Sequence, residues 1–180
     1  QIMREVIDGL RAVLKEHKPL PLVISIAAGI TSAQLAKWLA LECRIIRVMP
    51  NTPAMVGAGA SALFGNDDVL QSDREAASEI MNAVGISVWV DHESQLDAVT
   101  ALSGSGPAYF FLILECLEAE AVRLGLKAEV ARKLAIQTAL GAAMLAQDSS
   151  EDPAELRRQV TSPGGTTEQA VNTLLNHELP

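Results

Sequence analysis

Strand-forming signals stop at Asp91, and that switch limits the fold of this chain more than any other feature. Up to residue 92, helical periodicity alternates with short apolar runs; beyond it every segment reads as helix. The opening "QIMREVIDGLRAVL" carries Ile2, Val6, Leu10, Val13 and Leu14 at helical spacing, giving a helix over 2–16. "LVISIA" (22–27), "CRIIRVMP" (43–50), "ASALFGN" and "ISVWV" (86–90) are short runs bounded by turn residues, as buried strands are. Between them, "TSAQLAKWL" reads as a helix capped by Thr31 or Ser32, and "SDREAASEIMNAVG" as one capped by Ser72. Helices alternating with strands predict an α/β sheet with crossovers.

The second half predicts helices over 94–102, 107–124, 127–147, 153–161 and 166–177. Gly125 closes the second, and Pro153 falls in a first turn, where proline is tolerated. From Leu134 to Ala146 no residue is charged, and Ala135, Ala139, Gly141, Ala142 and Ala143 are small. A helix that is apolar all round must be covered, within a bundle or by another chain. The sequence therefore divides into an α/β part, 1–92, and an all-α part, 93–180, with the second expected to dimerise.

Composition removes several classes of function. Fourteen Lys and Arg face 22 Asp and Glu, for a net charge of −8, which opposes general binding to a phosphate backbone. Aromatic residues are only 3% of the chain, so Ala, Leu, Val and Ile must fill the core. Cys43 and Cys116 have no metal-ligand spacing around them and form no disulfide framework. Glu115 and Glu118 interrupt the apolar run from Ala108, so no membrane span is expected. With no signal-peptide pattern, the expected compartment is the cytoplasm.

Five segments are rich enough in special residues to hold chemistry. "GAGASA" (57–62) fits a loose dinucleotide pattern, but "PNTPAMV" precedes it and a strand-like run follows, so it reads as a turn and not as a phosphate cradle. "IAAGIT" (26–31) and "RVMPNTP" (47–53) close two expected strands, where open α/β sheets bind ligands. They fit either such a site or an ordinary β–α turn with Asn51 in a local side-chain bond. "ALSGSGPAY" (101–109) breaks one helix and starts another, with Pro107 at the new first turn and the Ser103 and Ser105 hydroxyls beside it. "TSPGGTT" (161–167) combines two glycines with several hydroxyls before a helix that Thr166 or Thr167 would cap. Free N–H groups at a helix N-terminus favour an anion such as a carboxylate.

The remaining polar residues form no nucleophile–base constellation. His17, His92 and His177 are scattered and read as solvent-facing. Glu115 and Glu118 share a helix face as a solvated stripe or as salt-bridge partners.

"LDAVTALSGSGPAYFFLILECL", "GLKAEVARKLAIQTALGAA" and "VTSPGGTTEQAV", in that order, resemble the pyrroline-5-carboxylate reductase family. "SIAAGIT" and "RVMPNTPAMVGAGASAL" resemble that family's nucleotide-domain segments. The resemblance implies the C-terminal two-thirds of such an enzyme: a partial Rossmann-like sheet, then a helical dimerisation domain. The family's first strand and G-x-G-x-x-G loop, and its last helical turns after Pro180, have no counterpart here.

The activity implied is hydride transfer from NADPH or NADH to the cyclic imine of 1-pyrroline-5-carboxylate, giving L-proline. By position, Ser162, Gly165, Thr166 and Thr167 would hold the substrate carboxylate, and Thr100 and Ser103 would lie beside the imine ring. Thr100 would be a proton relay, and Ala27, Ala28, Met49, Pro50 and Asn51 would line the nicotinamide end of the cofactor site. The resemblance also implies a homodimer or larger assembly with a site shared between chains; from the residue spacing, no metal is expected. Two other readings are a catalytically silent dimerisation module and a reductase of hydroxyacid-dehydrogenase type; Lys127 and Lys133 lie in no motif that would serve the latter.

Overall fold

The computed structural model describes residues 2–176; the side chain of Ile2 and all of His177 lie outside the described residues. The chain forms two compact units, Gln1–Phe111 and Leu112–Pro180.

The first unit holds a four-stranded sheet in the order β1 (Val23–Ser25), β2 (Ile45–Met49), β3 (Gly59–Gly65), β4 (Gly85–Trp89). β1 and β2 are parallel, as are β3 and β4, while β2 and β3 are antiparallel. The expected crossovers therefore exist for two pairs, through α2 (Ser32–Leu39) and α3 (Gln71–Asn82). The middle pair is joined instead by a short 3-10 turn, Thr52–Val56, that sends the chain straight back. β1 ends at Ser25, earlier than the apolar run implied, because the chain turns at Ala28 and Gly29.

Two apolar clusters hold this unit together. Ile7 and Leu14 of α1 (Ile2–Leu14) pack with Leu35 and Leu39 of α2 and with Val23 and Ile45. On the other cluster, Ile46, Val48 and Leu63 meet Ala77 and Met81 of α3. α2 starts as the sequence implied, and α3 does not. Thr31 caps α2, accepting from the Gln34 N–H while Gln34 reaches back to the Thr31 N–H. At α3 the cap is not Ser72, which is exposed; the buried Asp73 carboxylate accepts from the Leu70 N–H and from both Arg44 contacts at 2.9 and 3.1 Å.

β3 and β4 begin at a backbone-to-backbone contact. Gly85 has φ +154°, and a Cβ there would stand 2.0 Å from the Gly59 carbonyl oxygen. A Cβ on Gly59 would lie 2.9 Å from the Val84 carbonyl oxygen. Only glycine at both strand starts lets the two backbones close to pairing distance.

After β4, α4 (Gln95–Val99), a π-turn (Thr100–Gly104) and α5 (Gly106–Arg123) form one helical run rather than two helices. By length and composition this run is apolar enough to cross a membrane, with an 18-residue window of mean hydropathy 1.2, because Glu115 and Glu118 fall late in it. The sequence expectation that these acids exclude such a window is thus corrected.

The second unit contains the rest of α5, α6 (Ala128–Asp148), α7 (Pro153–Gln159) and α8 (Thr166–Asn176). Arg132 of α6 pairs with Glu118 of α5 at 3.0 Å, so Glu118 is a salt-bridge partner. Gly125, at φ +101°, ends α5, and Asp152 caps α7 before Pro153. α6 buries only Ala131; Leu134, Ile136, Leu140, Met144 and Leu145 are all at least half exposed. Of the two covers open to that uncharged helix, its own chain does not supply one.

Replacing Gly85 with Ala should destabilise the protein by roughly 3 kcal/mol or more, since backbone on a neighbouring strand cannot yield to the new methyl. A urea titration followed by circular dichroism measures this, and an unchanged midpoint would contradict the close approach.

Candidate functional site

Because β1 and β2 are parallel with Ser25 opposite Arg47, both strands leave the sheet at the same edge. That edge carries Ala27 and Ala28 after β1, and Met49, Pro50 and Asn51 after β2. Ala28 is exposed, and the other four are half-buried. The Ser25 hydroxyl accepts from the Ala27 N–H at 3.3 Å, holding the turn against its strand.

The π-turn is docked onto the same edge. The Asn51 side-chain amide donates through Nδ2 to the Ser103 carbonyl at 3.1 Å and accepts through Oδ1 from the Ala60 N–H at 2.9 Å. Gly104 lies against Met49, so closely that a Cβ would be 2.6 Å from the thioether methyl. Seven candidates, Ala27, Ala28, Met49, Pro50, Asn51, Thr100 and Ser103, therefore belong to the first unit, and the last five of them form one connected cluster.

The "ALSGSGPAY" segment does not break the helix as expected. Val99, Thr100 and Ser105 all keep right-handed helical backbone, and the Ser105 N–H reaches the Thr100 carbonyl at 2.8 Å, five residues back. Such π-turns recur at functional sites because they widen the helix and free a carbonyl. The hydroxyls here are turned inward. Thr100 Oγ1 donates to the Leu96 carbonyl at 2.7 Å and Ser103 Oγ to the Val99 carbonyl at 3.2 Å. Each then has lone pairs left over, so each is an acceptor for an outside N–H.

Glu93 is the residue that sequence reasoning missed. Its carboxylate accepts from the Ser32 N–H at 2.6 Å, the Ser32 hydroxyl at 3.0 Å and Arg47 Nη1 at 3.0 Å. Partial burial alone would raise its pKa; the bonds from Ser32 and Arg47 together outweigh that and hold it below the usual glutamate range. The signal was Arg47, a cation in the middle of "CRIIRVMP": a charge in a buried strand requires a partner.

Glu93 also limits what the edge can bind. Of the first N–H groups of α2, where a phosphate would sit, that of Ser32 is taken by Glu93 and that of Gln34 by Thr31. A further anion there would face a carboxylate. The turn at Ala27 and Ala28, small and uncharged, fits the flat nicotinamide end of a dinucleotide, whereas the α2 N-terminus does not fit its pyrophosphate.

Ser162, Gly165, Thr166 and Thr167 belong to the second unit. Gly164 has φ +72°, and the Gly165 N–H closes a turn onto the Ser162 carbonyl at 3.0 Å. α8 begins at Thr166, so neither threonine occupies the capping position assigned to it from sequence. Glu168 serves that purpose, its carboxylate accepting from the Gly164 N–H at 2.8 Å. The N–H groups of Thr166 and Thr167 have no acceptor among the described residues, and both side chains are exposed.

Comparison with known proteins places the chain. Residues 93–180 match the family model described as pyrroline-5-carboxylate reductase dimerisation. A pyrroline-5-carboxylate reductase of Pseudomonas aeruginosa is 50% identical over 173 residues, covering 96% of this chain and 62% of that protein. One of Vibrio alginolyticus is 45% identical, covering 99% of this chain and 65% of that protein. The chain thus spans somewhat less than two-thirds of these relatives. Among solved structures, a pyrroline-5-carboxylate reductase of Coxiella burnetii superposes with a TM-score of 0.89 at 48% identity, covering 98% of this chain and 64% of its own. The Plasmodium falciparum pyrroline carboxylate reductase, solved with NADP bound, gives 0.89 at 31% identity, covering 99% and 70%.

Substituting Glu93 with Ala should cost about 3 kcal/mol, because Arg47 would be left buried without its partner. The pH dependence has a definite sign. A carboxylate whose folded pKa is depressed stabilises fully above its unfolded pKa, and that contribution is lost as pH falls through the folded value. In Glu93→Gln this acid-side loss, below about pH 4, should shrink; denaturant titrations at several pH values would show an unaltered profile if Glu93 carried no such role.

Proposed function

Because the chain belongs to the pyrroline-5-carboxylate reductase family, we propose that the protein carrying it reduces 1-pyrroline-5-carboxylate to L-proline, in the cytoplasm. The observation that carries this reading is the π-turn docked by Asn51 and Met49 on the sheet edge whose shape suits a nicotinamide. NADPH or NADH supplies the hydride when bound.

Hydride adds to the imine carbon, the C=N π bond becomes the nitrogen lone pair, and a protonated imine already carries the N–H that proline keeps. A positioned electrophile then needs little acid catalysis. Thr100 and Ser103, with their protons committed to backbone carbonyls, offer oxygen lone pairs to that N–H. Thr100 works as a proton relay only by turning its hydroxyl away from Leu96. Ser162, Gly165, Thr166 and Thr167 hold the substrate carboxylate, with the unpaired Thr166 and Thr167 N–H groups and the hydroxyls as donors. Ala27, Ala28, Met49 and Pro50 line the nicotinamide, and Asn51 stands behind them.

We place the functional boundary between residues 92 and 93, where the family match begins. The first compact unit runs on to Phe111 because the π-turn is held to the sheet edge. The exposed apolar face of α6 calls for a second copy of the chain, so the working form is a homodimer or larger. A protein partner suits that face better than lipid, since the apolar run on α5 carries Glu118 paired to Arg132.

NADPH oxidation on addition of pyrroline-5-carboxylate tests the activity, and a protein that binds NADPH yet leaves the imine unreduced would overturn it. Thr167→Ala should weaken proline binding about tenfold by calorimetry, through loss of one hydroxyl donor to a carboxylate; unchanged affinity would remove Thr167 from the site. Sedimentation should show a dimer or larger species, and a monomer at all concentrations would contradict the reading of α6.

A further inference from the structure

Pro107 lies inside the helical run 95–123. A proline has no N–H, so the carbonyl four residues before it loses its intrahelical donor. That carbonyl belongs to Ser103. The group that takes the vacated place comes from another element: Asn51 Nδ2, at 3.1 Å. The same side chain's Oδ1 accepts from the Ala60 N–H at the start of β3. Because the Ala60 N–H can only donate and the Ser103 carbonyl can only accept, the orientation of the amide is fixed, and at neutral pH no other side chain of that size has both a donor and an acceptor on the same planar group.

We propose that Asn51 is a positioning residue for the imine and not a ligand of the dinucleotide: it holds the π-turn so that Thr100 and Ser103 present their oxygens at a fixed distance from the sheet edge. This rests on the reductase reading above. Two features support the assignment. The amide is engaged at both ends by the chain's own backbone. Its contact is also the only polar one that the described residues make between the β2 exit and the π-turn, the neighbouring contact being the apolar packing of Met49 on Gly104. To grip a carboxamide, Asn51 would have only its second Nδ2 proton or second Oδ1 lone pair, with the amide plane already set by Ser103 and Ala60.

Asn51→Asp isolates this bond. One carboxylate oxygen keeps the Ala60 N–H, while the other faces the Ser103 carbonyl oxygen and repels it. At neutral pH, kcat/KM for pyrroline-5-carboxylate should fall at least about tenfold while the dissociation constant of NADPH stays within about twofold of wild type. Lowering the pH should restore part of the loss in the variant alone, because a protonated carboxyl can donate to Ser103 again. Independently of turnover, hydrogen exchange of the backbone over 100–106 in the cofactor-free protein should quicken in the variant. In the wild-type protein, one proton of the Asn51 side-chain amide should exchange more slowly than those of exposed Asn and Gln side chains.

A variant whose loss appears in NADPH affinity rather than in the imine parameters would overturn the proposal, as would exchange over 100–106 unchanged from wild type. If Asn51→Asp does not fold, freely exchanging Asn51 amide protons in the wild type would overturn it. Wild-type protein that fails to reduce the imine would overturn the reductase reading instead, and the two exchange measurements would still decide whether Asn51 holds the turn.

Discussion

One carboxylate, that of Glu93, fixes how the parts of the first unit meet. It lies just past β4, at the entrance to the long helical run, and it accepts from Arg47 in the middle of β2 and from Ser32 in the first turn of α2. Three separate elements therefore share a single anion. Arg47 has been taken out of water by the strand that carries it, so the pair must form for β2 to be buried at all. Once formed, it anchors the start of the run that leads to Thr100 and Ser103. The Asn51 amide and the Met49–Gly104 contact then have only to adjust a segment that has already been brought to the correct edge.

Most of the architecture could be read from local pattern. The four strands occur within a residue or two at most ends, since Val, Ile and Ser runs bounded by Pro, Gly and Asn leave few alternatives. What local pattern did not give was the antiparallel return between β2 and β3. Its 3-10 turn, Thr52–Val56, is too short for a crossover helix, yet "NTPAMVGAG" reads simply as a loop. The caps at α3 and α8 were misassigned for a shared reason. In each case a hydroxyl stood at the expected place, but an acidic side chain, Asp73 or Glu168, reached back to the orphan N–H first.

The candidate residues were legible to different depths. Ala27, Ala28, Met49 and Pro50 follow from where strands end, which is a matter of topology. The positions of Thr100 and Ser103 were clear from "ALSGSGPAY", but their hydroxyl directions were not, because a π-turn cannot be told from a helix break by composition. Asn51 is the clearest case. Sequence alone could place it at the strand exit, yet its partner at Ser103 is 52 residues away, and the reason for the bond is a proline four residues further on. A signal existed, in that a proline within a helical pattern always leaves one carbonyl to be satisfied elsewhere.

Among the described residues, carboxylates of the chain itself accept from N–H groups at the starts of α2, α3, α7 and α8, and the difference between α2 and α8 bears on where a substrate carboxylate can go. At α2, Glu93 is partly buried and makes three bonds, one of them from Arg47, so displacing it would leave a buried cation unpaired. At α8, Glu168 makes one contact, to the Gly164 N–H, in a loop whose serine, proline and threonines are exposed. Its exchange for an incoming carboxylate would cost one solvent-accessible bond and would gain the unpaired N–H groups of Thr166 and Thr167. The two ends therefore differ in charge balance: the first is locked by its ion pair and disfavours a further anion. The second is loosely held by a group chemically like the one it would receive, which is why we assign the substrate carboxylate to "SPGGTT" and not to the α2 end.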